Sequence, residues 1–334
     1  MALTGFNTWN PTDESAYWLA RAKEVFEEYR DHLPLTGRQV FYRLVGAYGY
    51  PKDERAANKL YGILGRARRA GLLPFHWLRD GGGQTAIPQT FDDAADFWAS
   101  VRSDFRHYSR NRQAGQPVFV ELFCEAPGMM PQLQRAAFPY SVPVYGTRGF
   151  TGLSVVGEVA RRALMRDVPT TILQVGDLDP SGVGIFETLA ADVHEFVRQA
   201  VSVTIRAKDP NYVLLTNLGV TRERAEDIAT GRAENGSPHG GLPTVEARRI
   251  ALTWEQVEEH DLPTAPPSSK DSRSKNWPYA ETAQAEALPP DLLAQIVRDA
   301  IEEELDMDRY HEEVDREEAD RERIGARIDA GEED

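Results

Sequence analysis

The first third of the chain carries apolar residues at helical spacing. Glu14 to Leu33 places Tyr17, Leu19, Ala20, Ala22, Val25, Phe26 and Tyr29 largely on one face, and Pro34 ends the pattern. Thr36 stands where it caps a second helix carrying Val40, Phe41, Leu44 and Val45, which stops near Gly49-Tyr50-Pro51. A third helix, roughly Glu54 to Ala70, buries Ala57, Leu60, Leu64 and Ala67. Leu72 to Asp80 reads as a short extended wing before Gly81-Gly82-Gly83. Three helices and a wing predict an amino-terminal winged helix-turn-helix domain over residues 1–90.

After a linker with its own helix, residues 91–115, the pattern changes. Val118 to Cys124 and Thr170 to Val175 are near-continuous apolar runs, as expected of parallel strands buried on both faces. Val142 to Tyr145 reads as a short strand and Val201 to Ile205 as a further one. Helical patterns follow the first runs, over Met129 to Ala137, Ser154 to Arg166, and through Val183, Ile185, Phe186 and Leu189. The fold class is therefore α/β, the winged helix being followed by a Rossmann-like domain with a parallel sheet over residues 116–300. Thr230 to Leu242 and Asp261 to Pro278 read as loops, the second bringing Lys270, Arg273 and Lys275. Leu292, Leu293, Ile296, Val297 and Ile301 form a closing helix. Residues 301–334 read as a solvated acidic helix that frays.

Charge separates the two ends. Net charge is −15, but residues 301–334 hold 16 acids against 5 bases, while Thr36 to Arg79 hold nine bases against two acids. The acidic end repels nucleic acid, and the basic stretch is suited to hold it. On the third helix Arg55, Lys59, Arg66 and Arg69 fall on faces away from the apolar stripe and are the expected DNA contacts; the plain alternative is a solvated face. Cys124, the single cysteine, precludes an internal disulfide and reads as packing in a reducing compartment. With no apolar signal core and no run of membrane-spanning length, a soluble, cytoplasmic protein is expected. Histidines at no ligand spacing argue against zinc, and no phosphate-loop lysine motif marks an ATPase.

The chemistry concentrates at strand ends. Gly176-Asp177-Leu178-Asp179-Pro180-Ser181-Gly182 directly follows the apolar run Thr170 to Val175. Ligands of open α/β sheets gather at the carboxyl ends of strands, and carboxylates one residue apart in extended chain share a side. Such a pair beside a helix start repels itself unless a hard cation such as magnesium bridges it. The bland reading has one Asp capping the helix and the other solvated, with Ser181 also placed to cap. Glu125 ends the other long run and completes a three-carboxylate set. Glu121, on the same face four residues earlier, is either a further ligand or a buried, paired group.

This strand-end glutamate followed by Asp-x-Asp resembles the Toprim domain of topoisomerases, primases and some nucleases. By that resemblance Glu125, Asp177 and Asp179 hold Mg2+. Upstream, Thr36-Gly37-Arg38-Gln39-Val40-Phe41-Tyr42 puts Arg38 and Tyr42 on one helix face. The string, followed by Glu125 and Gly-Asp-x-Asp-Pro-x-Gly, resembles the A subunit of topoisomerase VI and the related meiotic double-strand-break transesterase. Tyr42 takes the position of the tyrosine that attacks DNA in that family; the preceding residue, commonly a second tyrosine, is Phe41 here.

The resemblance implies magnesium-dependent DNA cleavage through a 5′-phosphotyrosyl link, with Arg38 stabilising the phenolate or the phosphate. It also implies a homodimer sharing tyrosine and metal between subunits, and, for the topoisomerases, a separate ATPase subunit. Arg148, in the loop Gly146 to Gly152, is a further expected phosphate contact. Two other readings use the same residues. A Toprim nuclease with metal-activated water needs the carboxylates but not Tyr42, and a non-catalytic DNA-binding module needs only the basic helix.

Overall fold

The structure is a computed structural model that describes residues 8–79, 90–146, 153–208, 215, 218–230, 243–268 and 271–330. Helix α1, Asp13–Glu28, is capped by Thr12, whose side chain accepts from the Ser15 amide, and buries Leu19, Ala22, Val25 and Phe26 at three- and four-residue intervals. Tyr17 falls off that stripe and is exposed. A two-residue strand, β1 (Leu35–Thr36), leads into α2, Gly37–Tyr48. Thr36 and Gln39 close a full capping box there, and Gly49 ends the helix at a φ of 65°. Helix α3, Glu54–Arg69, is capped by Asp53 and buries Ala56, Leu60, Ile63, Leu64 and Ala67, so the stripe runs through Ala56 more than through Ala57. Arg55, Lys59, Arg66 and Arg69 are all exposed on its other faces.

The segment expected as a wing takes another form. Phe75–Trp77 make a 3-10 turn, and β2 (Leu78–Arg79) pairs in parallel with β1, Leu35 opposite Leu78. Both leucines are buried in the amino-terminal core, so burial of Leu78 draws the chain back onto the start of α2. Gly81 to Gly83 lie outside the described residues. Helix α4, Ala94–Asp104, falls where the linker helix was expected and buries none of its residues.

Four parallel strands form the second unit: β3 (Phe119–Cys124), β4 (Val144–Gly146), β5 (Thr170–Val175) and β6 (Val245–Ala251), in the order β4-β3-β5-β6. Central β5 is buried at all six positions, as its near-continuous apolar run requires. Cys124 pairs with Val175, and Val175 with Ala251, so three strands finish at one edge. On one face, Val120, Leu122 and Cys124 pack with α5 (Met130–Ala137). On the other, Phe123 and Ile172 meet α6 (Leu153–Leu164), α7 (Pro180–Ala207) and α8 (Arg222–Thr230). Beyond α9, Trp254–Glu259, a small antiparallel pair joins β7 (Thr264–Ala265) to β8 (Thr282–Ala283), and α10, Pro290–Glu302, closes the first face.

Two sequence expectations are corrected here. Val201 to Ile205 is not a strand but the last turns of α7, because Leu189, Val193, Val197, Ala200, Val201 and Thr204 share one buried face. The fourth strand is β6, whose Glu246, Arg248 and Arg249 hid it. The acidic tail is also not simply solvated. Helix α11, Met307–Ala330, docks on the segment 108–112, where Arg110 reaches Glu313 and Asp320 at 2.6 Å each and Arg112 reaches Glu317 at 2.8 Å. Glu313 and Glu317 are buried by these pairs. Among the described residues, no helix is long and apolar enough to cross a membrane.

Candidate functional site

The edge where β3, β5 and β6 end gathers the strand-end acids. Glu125 follows β3, and its Oε2 accepts from the Asp177 amide at 3.3 Å. Asp179, rather than Ser181, caps α7, accepting from the Gly182 amide at 2.7 Å, with Pro180 at the first helical position. A Cβ on Gly182 would stand 2.6 Å from Glu125 Oε2 and 3.4 Å from Asp179 Oδ1. Those two carboxylates therefore face one small cradle that any side chain at 182 would fill. Asp177 turns elsewhere, its Oδ1 accepting from the Ala285 amide at 2.9 Å. Among the described residues, no group of three or more His, Cys, Asp and Glu side chains converges on one metal position.

Burial makes Glu125 and Asp177 reluctant to ionise. Glu125 is pushed up to about 7, first by burial and then by Asp177 and Asp179. Asp177 is pushed up to about 6 by burial, against the Ala285 amide, which pulls it down. Arg249 supplies the balancing charge from β6. Its Nη1 donates to the carbonyl oxygens of Gly176, Asp177 and Leu252 at 2.9, 3.1 and 3.3 Å, fixing the turn that carries Asp177. One of two adjacent arginines in an edge strand gave no sequence signal of that duty.

Between about pH 4 and 7 the folded chain holds protons on Glu125 and Asp177 that the unfolded chain releases, so their contribution to stability declines as pH rises through that window. After allowance for solvent the decline is about 2 kcal/mol. Melting in chelator at pH 5 and pH 8 should show it for the unmodified chain and not for a Glu125→Gln, Asp177→Asn double variant.

Glu121 is the paired group, not a member of this edge. It is fully buried and takes Arg162 Nε and Nη2 at 2.8 Å each, and Arg166 Nη2 at 2.5 Å. Cys124 packs as expected; burial pushes its thiol up to about 12.

The helix bearing Arg38 and Tyr42 docks on this same edge. Thr36 Oγ1 donates to Glu286 at 2.7 Å, Arg38 pairs with Glu286 at 3.4 Å, and Gln39 donates to Gln132 of α5 at 2.7 Å. Gly128, three residues after Glu125, permits the approach, since a Cβ there would sit 2.7 Å from Thr36 Cγ2. Tyr42 is half-buried. Its hydroxyl is pushed up to about 12 by burial, with Arg38 working against that rise and Asp177, Glu286 and Tyr61 adding to it. The tyrosine thus lies in the field of carboxylates from its own chain.

Glu286 and Tyr61 are the neighbours that sequence reading missed. A lone acid between buried alanines, Ala285 and Ala287, was the available signal for the first. On α3, Lys59 reaches Glu14 at 2.5 Å and Arg66 lies over the Trp9 ring at 5.4 Å, with Arg55 and Arg69 exposed nearby. Arg273 reaches Ser181 Oγ at 3.0 Å beside the start of α7. Arg148 and Lys270 lie outside the described residues. Set against known proteins, the chain matches no family model, no curated protein and no solved structure.

Proposed function

We propose that this chain is a DNA-cleaving transesterase of the topoisomerase VI A type, combining a winged-helix-like DNA-binding part with a Toprim-like sheet. The observation that carries this reading is the docking of the Arg38 and Tyr42 helix onto the turn that holds Asp177, beside Glu125 and Asp179. Glu125 and Asp179 fit magnesium, which takes one or two carboxylates and completes its shell with water and phosphate oxygens. Asp177 would join them on release from Ala285. Magnesium bound there would neutralise charge on the phosphate and on the departing oxygen.

The chain's own residues supply the rest. Tyr42 Oη attacks phosphorus, the bond from phosphorus to the 3′ oxygen breaks, and the tyrosine proton passes through solvent to that oxygen. Arg38 holds the phosphate and lowers the cost of forming the phenolate. The DNA keeps a free 3′ hydroxyl and a 5′ phosphate linked to Tyr42. The resemblance implies a homodimer in which tyrosine and metal come from opposite subunits, so in this reading the Arg38 and Tyr42 helix, docked within one chain, sits at the edge that meets the partner. For the topoisomerases of that family it also implies a separate ATPase subunit.

The Tyr42 hydroxyl, held up near 12, favours one competing reading, in which magnesium-activated water cuts and Tyr42 only packs. Denaturing the reaction with labelled DNA separates the two, because only the transesterase leaves label covalently on protein. Label that is cut but never protein-bound would overturn the transesterase.

DNA affinity is assigned to α3. Reversing charge at Arg55, Lys59, Arg66 and Arg69 should lower duplex affinity at least about tenfold at moderate salt and flatten the salt dependence by about one unit of slope per lost phosphate contact. Titration by fluorescence anisotropy at several salt concentrations reads both. An unchanged slope would mean that these residues face only solvent.

A further inference from the structure

One buried carboxylate still lacks a role. Glu286 sits in a single 3-10 turn, Ala285–Ala287, and is only 6% exposed. The groups that meet it come from the start of α2: Thr36 Oγ1 at 2.7 Å and Arg38 Nη1 at 3.4 Å. Its neighbours are engaged too. Ala285 N donates to Asp177 Oδ1 at 2.9 Å, and Arg43 of α2 donates to the Ala287 carbonyl. Three consecutive residues therefore touch Asp177, Arg38 and Arg43 in turn.

Arg38 is not saturated by this contact. Its side chain is 49% exposed, and 3.4 Å is long beside the 2.7–2.9 Å typical of a charge-assisted bond. Tyr61 lies beside the same guanidinium, close enough for a side-chain hydrogen bond with Arg38. The guanidinium is thus aimed by Glu286 while keeping donors free toward solvent.

We infer that Glu286 is a positioning residue that aims Arg38 at the scissile phosphate and, being itself an anion, competes with that phosphate for the guanidinium. This deepens the transesterase reading and rests on it for what Arg38 contacts. Carboxylate and phosphate offer a guanidinium similar pairs of oxygens, so the one stands in for the other until DNA arrives. Neutralising Glu286 while keeping its shape removes a repulsion and an aim together. Binding and turnover then move in opposite directions, which a merely structural tie does not produce.

The experiment is a double-mutant cycle of Glu286→Gln and Arg38→Ala, read by duplex affinity in anisotropy and by adduct formation. Glu286→Gln is expected to bind DNA about threefold to tenfold more tightly and to form adduct at least about tenfold more slowly. In the Arg38→Ala background the same change should alter neither. Glu286→Asp, which keeps the charge but shortens the reach, should stay at the original affinity and still form adduct slowly. Unchanged or weaker binding by Glu286→Gln, or an equal effect in both backgrounds, overturns the role. Should the unmodified chain, with an ATPase partner supplied, bind DNA without forming adduct, the transesterase reading fails while the affinity cycle still decides whether Glu286 acts through Arg38. Failure of the unmodified chain to bind DNA overturns both.

Discussion

A Tyr42→Phe chain, mixed with magnesium and DNA and then denatured, is expected to carry no covalently attached DNA, at least about a thousandfold below the unmodified chain. The substitution removes one oxygen and keeps the ring. Tyr42 packs against the amino-terminal core, its ring centroid 5.3 Å from that of Phe41, so the helix should dock as before and DNA should bind as before. Loss of adduct with retained affinity then isolates the hydroxyl. pH supplies a second reading of the same group. Because burial pushes this hydroxyl up to about 12, its reactive phenolate is scarce at neutral pH, and the rate should rise about tenfold per pH unit between pH 7 and 9. An ATPase partner, where turnover needs one, is added equally to both proteins. If Tyr42→Phe cuts at the unmodified rate, water is the nucleophile and Tyr42 is packing.

The second large effect is on stability. Glu121→Ala should cost about 3–5 kcal/mol, the range for breaking a buried ion pair from one side. The reason lies in its partners. Arg162 and Arg166 cannot swing freely to water, because their guanidinium carbons stand 4.2 Å from the Tyr145 ring centroid and 3.7 Å from that of Phe119. Removing the acid leaves Arg162 a contact with Glu158 at 3.7 Å and Arg166 a hydrogen bond to Thr170 Oγ1 at 3.1 Å, both guanidinium groups against aromatic faces. Calorimetry should show melting lowered by about 10 °C. Glu121→Gln should lose less, since an oxygen acceptor remains. A Glu121→Ala chain that melts within a degree or two of the original would show the network to be dispensable. Lost magnesium affinity with unaltered melting would instead return Glu121 to the ligand set.

Much of the architecture was legible because burial on both faces leaves a plain mark. The runs ending at Cys124 and Val175 could be little else than buried strands, and Thr36 announced a helix start. Strand β6 was hidden for the opposite reason: at the sheet edge, Glu246 and Arg248 reach solvent and break the apolar run. Val201 to Ile205 misled because local β-branching favours a strand, whereas the three- and four-residue spacing back to Leu189 favours a helix, and packing decided for the spacing. Of the site, the strand-end acids and the Arg38 and Tyr42 helix could be placed one by one. Their mutual arrangement could not. Asp177 bonding to Ala285, and Glu286 meeting Thr36, join residues 108 and 250 positions apart, and no local pattern reports such contacts.

The docking of the last helix changes how shortened versions of this protein must be interpreted. Cutting the chain before Met307 removes acids that face solvent, but it also removes the partners of Arg110 and Arg112, baring two guanidinium groups that the intact molecule keeps occupied. A gain in DNA affinity on such a cut is therefore no measure of repulsion relieved, because the knife has made a new cationic patch. Substituting exposed acids of that helix one at a time, while leaving Glu313, Glu317 and Asp320 in place, separates the two effects.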